Sequence, residues 1–325
     1  DICNLTTKKI FGVFSENMAM ENYLVLAKAI GEEIAAGADG IVIGHGTDTM
    51  GHTAAILSFM VQDSPVPIVL VGSQRSSDRP SSDAALNLIH SVRTAAYSDI
   101  AEVVICMFGP TSDRYGLLHR GTRCRKMHSS YRSTFRTISD IPLAMVSPTS
   151  FTYLNDDFRR RDKTRVPKID AVYDDRTTIL YYYPGMNPDL VDALVEKGYH
   201  GIVIAGTGLG HVNKPLYPAI KRATEAGVHI VMAVQTLWGF AQMYVYDTGR
   251  DLMDLGIVPL DNMIPETALM KLSWVLGHTR ERAEVMRMMT TPVAHEITPR
   301  EPHNGYLVMQ GGLPETEEWV RGHWK

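Results

Sequence analysis

Residues 45–49 (HGTDT) carry the side chains best suited to chemistry in this sequence. They directly follow Gly40–Gly44, a short apolar run that is typical of a buried strand. The turn presents the hydroxyl of Thr47 beside the carboxylate of Asp48. A threonine hydroxyl attacks a carbonyl carbon only when a base removes its proton. A lysine that contacts this hydroxyl and is held by Asp48 would supply the base, and Lys126 is the candidate because it lies in an otherwise arginine-rich stretch.

These residues also admit ordinary explanations. Thr47 and Asp48 are favoured helix caps, because their oxygens accept the free N–H groups of a first helical turn. Gly46 is useful in either case, since it lets the backbone turn tightly. A single lysine such as Lys126 is most often a solvated surface charge. The sequence leaves both interpretations open, and contact between the lysine and the threonine would decide between them.

Two further patterns predict no chemistry. Gly206–Gly210 (GTGLG) lacks the G-x-G-x-x-G spacing of a dinucleotide-binding turn, so we interpret it as a tight turn after a strand. The cysteines Cys3, Cys106 and Cys124 are few, odd in number and without a C-x-x-C pair. We therefore expect reduced thiols, no bound metal and a cytoplasmic location.

The elements that must position the HGTDT residues alternate along the first 110 residues. Short apolar runs without period-2 alternation indicate strands buried on both faces, and amphipathic segments between them indicate helices. We predict strands over 9–14, 40–44, 67–72 and 101–108, and helices over 20–37, 50–60 and 84–97. This order predicts a doubly wound parallel sheet, in which ligands bind beyond the carboxyl ends of the strands.

A second strand–helix run predicts a second, smaller α/β domain of flavodoxin-like form. Between the two, residues 158–168 (FRRRDKTRVPK) hold six Lys and Arg and a Pro, which is typical of a linker. We predict an N-terminal domain over 1–157, a basic linker over 158–176, a C-terminal domain over 177–300 and a tail over 301–325.

Composition excludes several classes of protein. The 325 residues are 45% hydrophobic with a net charge of -4, which argues against disorder and against a globally basic nucleic-acid binder. No apolar run approaches the roughly 18 residues of a membrane span, so we expect no membrane association.

Several stretches together resemble the L-asparaginase/glutaminase family, whose nucleophile is a threonine. Within that family, the QRSSDRPSSD and GTRxRKMH patterns are similar to the glutaminase subunits of archaeal tRNA-dependent amidotransferases rather than to free asparaginases. The stretches are HGTDTMGHTAAILSFM (45–60), VPIVLVGSQRSSDRPSSDAALNLI (66–89), GTRCRKMHSSYRSTFR (121–136), GYHGIVIAGTGLGHV (198–212), YDTGRDL (246–252) and MIPETALMKLSWVLGHT (263–279).

The resemblance implies an asparaginase-like fold and hydrolysis of the side-chain amide of glutamine or asparagine. A kinase-type amidotransferase partner, known in the family as the E subunit, would use the ammonia with ATP and Mg²⁺ to convert Glu-tRNA(Gln) to Gln-tRNA(Gln). This chain itself would need no cofactor and would form a homodimer. The implied site has three catalytic and three substrate-binding residues: Thr47, Asp48 and Lys126, and Ser15, Glu16 and Gly46.

One departure from the family qualifies these expectations. The family carries a further threonine, in a T-G-G-T-I-A segment on its first strand, and residues 1–325 contain no such segment. We expect the sequence to be part of a longer protein, and residues 1–325 alone to have little amidase activity. The alternatives are a free-standing L-asparaginase and a non-catalytic assembly subunit.

Overall fold

The computed structural model describes residues 2–302 and residue 305, which divide into two compact units. The first runs to Ala171 and the second spans Val172–Glu301. The tail predicted over 301–325 lies outside the described residues except for 301, 302 and 305. Across the described ranges, no helix has both the length and the apolar character to cross a bilayer.

The first unit is an α/β layer with a six-stranded sheet in the order β1-β3-β4-β5-β8-β9. Two small antiparallel pairs, β2 with β10 and β6 with β7, lie outside this sheet. Its helices are α1 (Met20–Ala35), α2 (Met50–Met60) and α3 (Ala84–Tyr97). Its strands are β1 (Ile41–Gly44), β2 (Val61–Gln62), β3 (Ile68–Val71), β4 (Val103–Phe108), β5 (Gly116–Arg120), β6 (Cys124–Lys126), β7 (Phe135–Thr137), β8 (Ala144–Val146), β9 (Phe151–Tyr153) and β10 (Lys168–Ile169).

The parallel arrangement predicted for this sheet holds for β1, β3 and β4, whereas β5, β8 and β9 run antiparallel. The antiparallel half begins at β5, a strand that ends in the charged residue Arg120. In the structure Arg120 is only 2% exposed, because Glu102 at 2.9 Å and Asp140 at 3.0 Å accept from its guanidinium. These paired charges let a polar strand lie inside the sheet.

The strand predicted over residues 9–14 is absent from the structure, where this segment has no regular hydrogen bonding. A cavity of about 1350 Å³ is lined by residues 8–11 on one side and 41–44 of β1 on another. Within the described residues β1 is therefore an edge strand, and its side chains are only partly buried whereas those of β3 are fully buried.

The basic segment predicted as a linker is packed onto the first unit. Arg161 donates to the main-chain carbonyls of Ala95 at 2.8 Å and Ser98 at 3.0 Å. The neighbouring charges form ion pairs with acidic side chains of the same unit: Arg159 with Asp63, Arg160 with Asp99, Lys163 with Asp39 and Lys168 with Asp170. Sequence composition indicated a linker, but most of these acidic partners lie far away in the chain.

The second unit is a small parallel α/β layer, as predicted, with strand order β11-β12-β13-β14. Its strands are β11 (Thr177–Tyr181), β12 (Gly201–Gly206), β13 (His229–Val234) and β14 (Val258–Pro259), and its helices are α4 (Asp189–Glu196), α5 (Tyr217–Glu225), α6 (Asp247–Asp254), α7 (Pro265–Leu276) and α8 (Arg282–Thr290). After β12, the N–H of Thr207 bonds the carbonyl of His211, and Gly210 has a φ of 98°. The GTGLG segment is thus the tight turn that its spacing predicted.

Candidate active site

The HGTDT residues form the connection between β1 and α2 at the carboxyl edge of the first sheet. The helix has Thr49 as its N-cap residue, and no hydrogen bond from that side chain caps its free N–H groups. Thr47 and Asp48 therefore are not its N-cap residues. The hydroxyl of Thr49 instead donates to the main-chain oxygen of Ser15 at 2.6 Å, which ties this connection to a neighbouring turn.

Lys126 contacts both of the polar side chains that precede the helix. Its ammonium lies 3.0 Å from the hydroxyl oxygen of Thr47 and 2.6 Å from a carboxylate oxygen of Asp48. The lysine side chain is 15% exposed and that of Asp48 is 63% exposed. Exposed ion pairs of this kind contribute about 1 kcal/mol or less to stability. The contact therefore orients the three groups more than it stabilises the fold.

Lys126 reaches the HGTDT turn because its strand packs closely on α2. In β6, Lys126 pairs with Phe135 of β7. At the start of β6, the main-chain oxygen of Cys124 lies so near α2 that a Cβ on Gly51 would be 2.8 Å away from it. Gly121, just before β6, meets the main-chain oxygen of Ala54 in the same way, at 3.0 Å. Glycine at these positions permits the close approach of backbones that delivers the lysine.

The predicted substrate-binding residues lie around the same turn. Ser15 is 5% exposed, and its hydroxyl oxygen accepts the N–H of Asp48 at 3.2 Å. A Cβ on Gly46 would lie 2.8 Å from the Cβ and hydroxyl of Ser15, so only glycine fits this approach. Glu16, on the same short 3₁₀ turn, is exposed at the margin of the group.

Two residues of this site, His45 and Thr53, were missed by the sequence reasoning. The ring of His45 has Nδ1 at 2.5 Å from the main-chain oxygen of Gly46 and Nε2 at 2.8 Å from the hydroxyl of Thr53. Burial lowers the pKa of His45, and the hydrogen bond to Gly46 opposes this only in part. The available signal was a histidine directly before a Gly-Thr turn, eight positions ahead of a threonine in the following helix.

The arrangement is suited to moving a proton from a hydroxyl to an amine. A lysine that has lost its proton accepts the hydroxyl proton of Thr47, and Asp48 holds the resulting ammonium. No group of three or more potential metal ligands among His, Cys, Asp and Glu occurs in the described part of the chain. The three side chains have the chemical types of a nucleophile, a base and a counter-ion.

The chain matches two family models that together span most of its length. Residues 1–159 match the model described as asparaginase, N-terminal, and residues 176–289 match the glutaminase/asparaginase C-terminal domain.

Among curated proteins, the chain is 52% identical over 308 residues to the D subunit of the glutamyl-tRNA(Gln) amidotransferase of Thermococcus kodakarensis, covering 94% of this chain and 70% of that protein. It is 47% identical to the D subunit of the same amidotransferase from Pyrococcus horikoshii, with the same two coverages. Among solved structures, the thermostable L-asparaginase from Thermococcus kodakarensis has a TM-score of 0.83 and 28% identity, covering 92% of this chain and 88% of that one. The L-asparaginase I from Vibrio cholerae has a TM-score of 0.79 and 28% identity, covering 88% and 84%.

Proposed function

The chain belongs to the asparaginase family, in its branch of archaeal glutamyl-tRNA(Gln) amidotransferase D subunits, and from this premise we propose that Thr47, Asp48 and Lys126 carry out its amide hydrolysis. As a D subunit, it is the glutaminase component of a tRNA-dependent amidotransferase. The observation that carries the residue assignment is the position of the Lys126 ammonium, 3.0 Å from the Thr47 hydroxyl oxygen.

In the proposed step, the neutral amine of Lys126 takes the proton of the Thr47 hydroxyl as the oxygen attacks the amide carbon of the substrate. The C–N bond then breaks, the leaving nitrogen takes up a proton, and ammonia departs. Water subsequently hydrolyses the ester that this attack leaves on Thr47, which releases the carboxylate product. Asp48 holds the lysine throughout, since its carboxylate oxygen is 2.6 Å from Nζ.

Ser15, Gly46 and Glu16 would hold the amino-acid end of the substrate. Ser15 supports this role because its hydroxyl oxygen already accepts the N–H of Asp48 and its own O–H remains able to donate to a substrate carboxylate. Gly46 offers exposed main chain beside it. The exposed carboxylate of Glu16 is suited to an ammonium group.

The wider assembly is part of the proposal. A kinase-type partner, the E subunit of the amidotransferase, would bind ATP and Mg²⁺, activate the glutamate of Glu-tRNA(Gln) and use the ammonia released here. The chain would act as a homodimer, and an aminoacyl-tRNA substrate would place the complex in the cytoplasm. The basic segment 158–168 is a weak candidate for tRNA contact, because ion pairs and main-chain carbonyls of the first unit already engage its cations.

A free-standing L-asparaginase is the second candidate, supported by the similarity to solved asparaginases. Ammonia release by the full-length protein distinguishes the two when glutamine and asparagine are each supplied, with and without the kinase-type partner and Glu-tRNA(Gln). We expect turnover of glutamine that rises when the partner and Glu-tRNA(Gln) are added. Turnover of asparagine that is unchanged by the partner and by Glu-tRNA(Gln) would favour the second candidate.

We also keep the expectation that residues 1–325 alone have little amidase activity. The same assay on a polypeptide of these residues tests it. Glutamine hydrolysis at the rate of the full-length protein would contradict it.

A further inference from the structure

We propose that His45 is a positioning residue for this hydrolysis, because its ring bridges the Gly46 carbonyl and the Thr53 hydroxyl and so holds the peptide that bears Thr47. The inference rests on the proposed function and adds a residue to its machinery. The ring contacts lie at 2.5 Å and 2.8 Å, and both ring nitrogens are engaged.

The chemistry of the partners determines which nitrogen carries the proton. The main-chain oxygen of Gly46 can only accept, so Nδ1 of His45 must donate to it. In the neutral ring Nε2 is then an acceptor, and the hydroxyl of Thr53 donates to it. Thr53 is fully buried in α2, and its hydroxyl oxygen also lies 3.3 Å from the main-chain oxygen of Thr49. The ring is thus attached to the first turn of a core helix.

This attachment matters because Gly46 is the most freely rotating point of the turn. The carbonyl of Gly46 and the N–H of Thr47 belong to one rigid peptide unit, so fixing the first fixes the second. The 3.0 Å approach of the Thr47 hydroxyl to Lys126 depends on that orientation. Displacements of about 1 Å at a reacting group can lower a rate by as much as about 100-fold. The hydrogen bonds of the ring go to Gly46 and Thr53, so its effect acts through the main chain.

The test compares four variants of the full-length protein, assayed with the kinase-type partner for glutamine hydrolysis. We expect His45→Ala to lower kcat about tenfold with KM within about twofold, the scale of losing one or two neutral hydrogen bonds. His45→Asn keeps an N–H donor near Gly46 and should recover part of the loss. Thr53→Val removes the donor to Nε2 and should lower kcat severalfold, whereas Thr53→Ser keeps it and should not.

Amide hydrogen exchange supplies a readout that does not depend on activity. We expect faster exchange over residues 45–49 in His45→Ala and Thr53→Val, with unchanged exchange in β3 and β4. His229→Asn is the matched control, because the ring of His229 also contacts a main-chain oxygen, at 3.1 Å, but lies in the second unit.

The outcomes separate this inference from the proposed function. An active wild type with an inactive Thr47→Val variant, together with normal kcat and normal exchange in His45→Ala and Thr53→Val, would overturn the positioning role alone. A large rise in KM at unchanged kcat would also overturn it, since the ring would then serve substrate binding. Full activity of Thr47→Val would instead refute the proposed function, and the exchange comparison would still decide whether His45 holds the turn.

Discussion

The ammonium of Lys126 lies 2.6 Å from the carboxylate of Asp48, although 78 positions separate the two residues in the sequence. The same ammonium contacts the hydroxyl of Thr47, the residue directly before Asp48. Successive side chains of a strand point to opposite faces, whereas the turn after β1 presents both of these side chains to one group. The site is thus built from one turn and one distant strand, β6, that packs on the helix following the turn.

The hydroxyl of Thr47 is the first group to test. Thr47→Val keeps the volume and removes the oxygen, so we expect glutamine hydrolysis by the full-length protein to fall by about 100-fold or more, the scale of losing a positioned proton-transfer group. Steady-state ammonia release measures this. Thr207→Val is the matched control in the second unit, where the hydroxyl only bonds a main-chain oxygen. Retained turnover in Thr47→Val would leave this residue no catalytic role.

The amine of Lys126 should be equally necessary. Lys126→Met keeps most of the length of the side chain and removes both contacts, so we expect a loss of activity similar to that of Thr47→Val with little change in thermal stability. Lys163→Met, which breaks an exposed ion pair with Asp39, should leave activity unchanged. A mild effect of Lys126→Met on kcat would place the base on another residue.

The close approach of Gly46 to Ser15 can be tested by a substitution that adds a methyl group at position 46. The methyl group of Gly46→Ala would lie 2.8 Å from Ser15, so Ser15 or the turn must move and the contact with Asp48 is disturbed. We expect kcat/KM to fall about tenfold or more. Gly44→Ala, two positions earlier, meets nothing within 4 Å and is the control. Equal activity of the two variants would show that the turn tolerates the shift.

Acid should weaken the first unit through His119. This side chain is fully buried in β5, and burial, together with the positive charge of Arg136, lowers its pKa to about 3. Below about pH 6.5 the His119 ring takes up a proton in the unfolded chain but not in the folded chain. The free energy of unfolding is therefore undiminished above about pH 6.5 and falls as the pH drops toward about 3.

Urea unfolding at several pH values measures this loss. Between about pH 6.5 and about pH 4.5, His119→Gln should reduce the pH dependence of the free energy of unfolding by up to about 1.4 kcal/mol per pH unit. Thr207→Val, which removes no titratable group, is the control. A variant whose unfolding free energy follows pH as steeply as the wild type would refute the assignment.

Much of the fold was predictable from local patterns. The helices at Met20–Ala35, Met50–Met60 and Ala84–Tyr97 and the strands β1, β3 and β4 follow from periodicity, and the three strands are parallel as predicted. The burial of β5 inside the sheet was not predictable, because the acidic partners that allow Arg120 to be buried are non-local.

The candidate site shows the same division between local and distant information. Thr47 and Asp48 were predicted from one turn and Lys126 from its place in an arginine-rich stretch, and the structure brings the three side chains into contact. The role of His45 was missed, because it depends on a contact with Thr53 of α2 that forms only when the turn is folded. The basic segment was misjudged for a similar reason, because a run of cations does not reveal which carboxylates will face it.

The half-covered strand β1 has a consequence for handling the protein. One side of Ile41–Gly44 pairs with β3, and no described strand pairs with the other side, so its main-chain N–H and C=O groups can template a foreign strand. A polypeptide limited to the described residues is therefore prone to form intermolecular β-sheets as it is concentrated or refolded. Yield after refolding should then decline steeply with protein concentration.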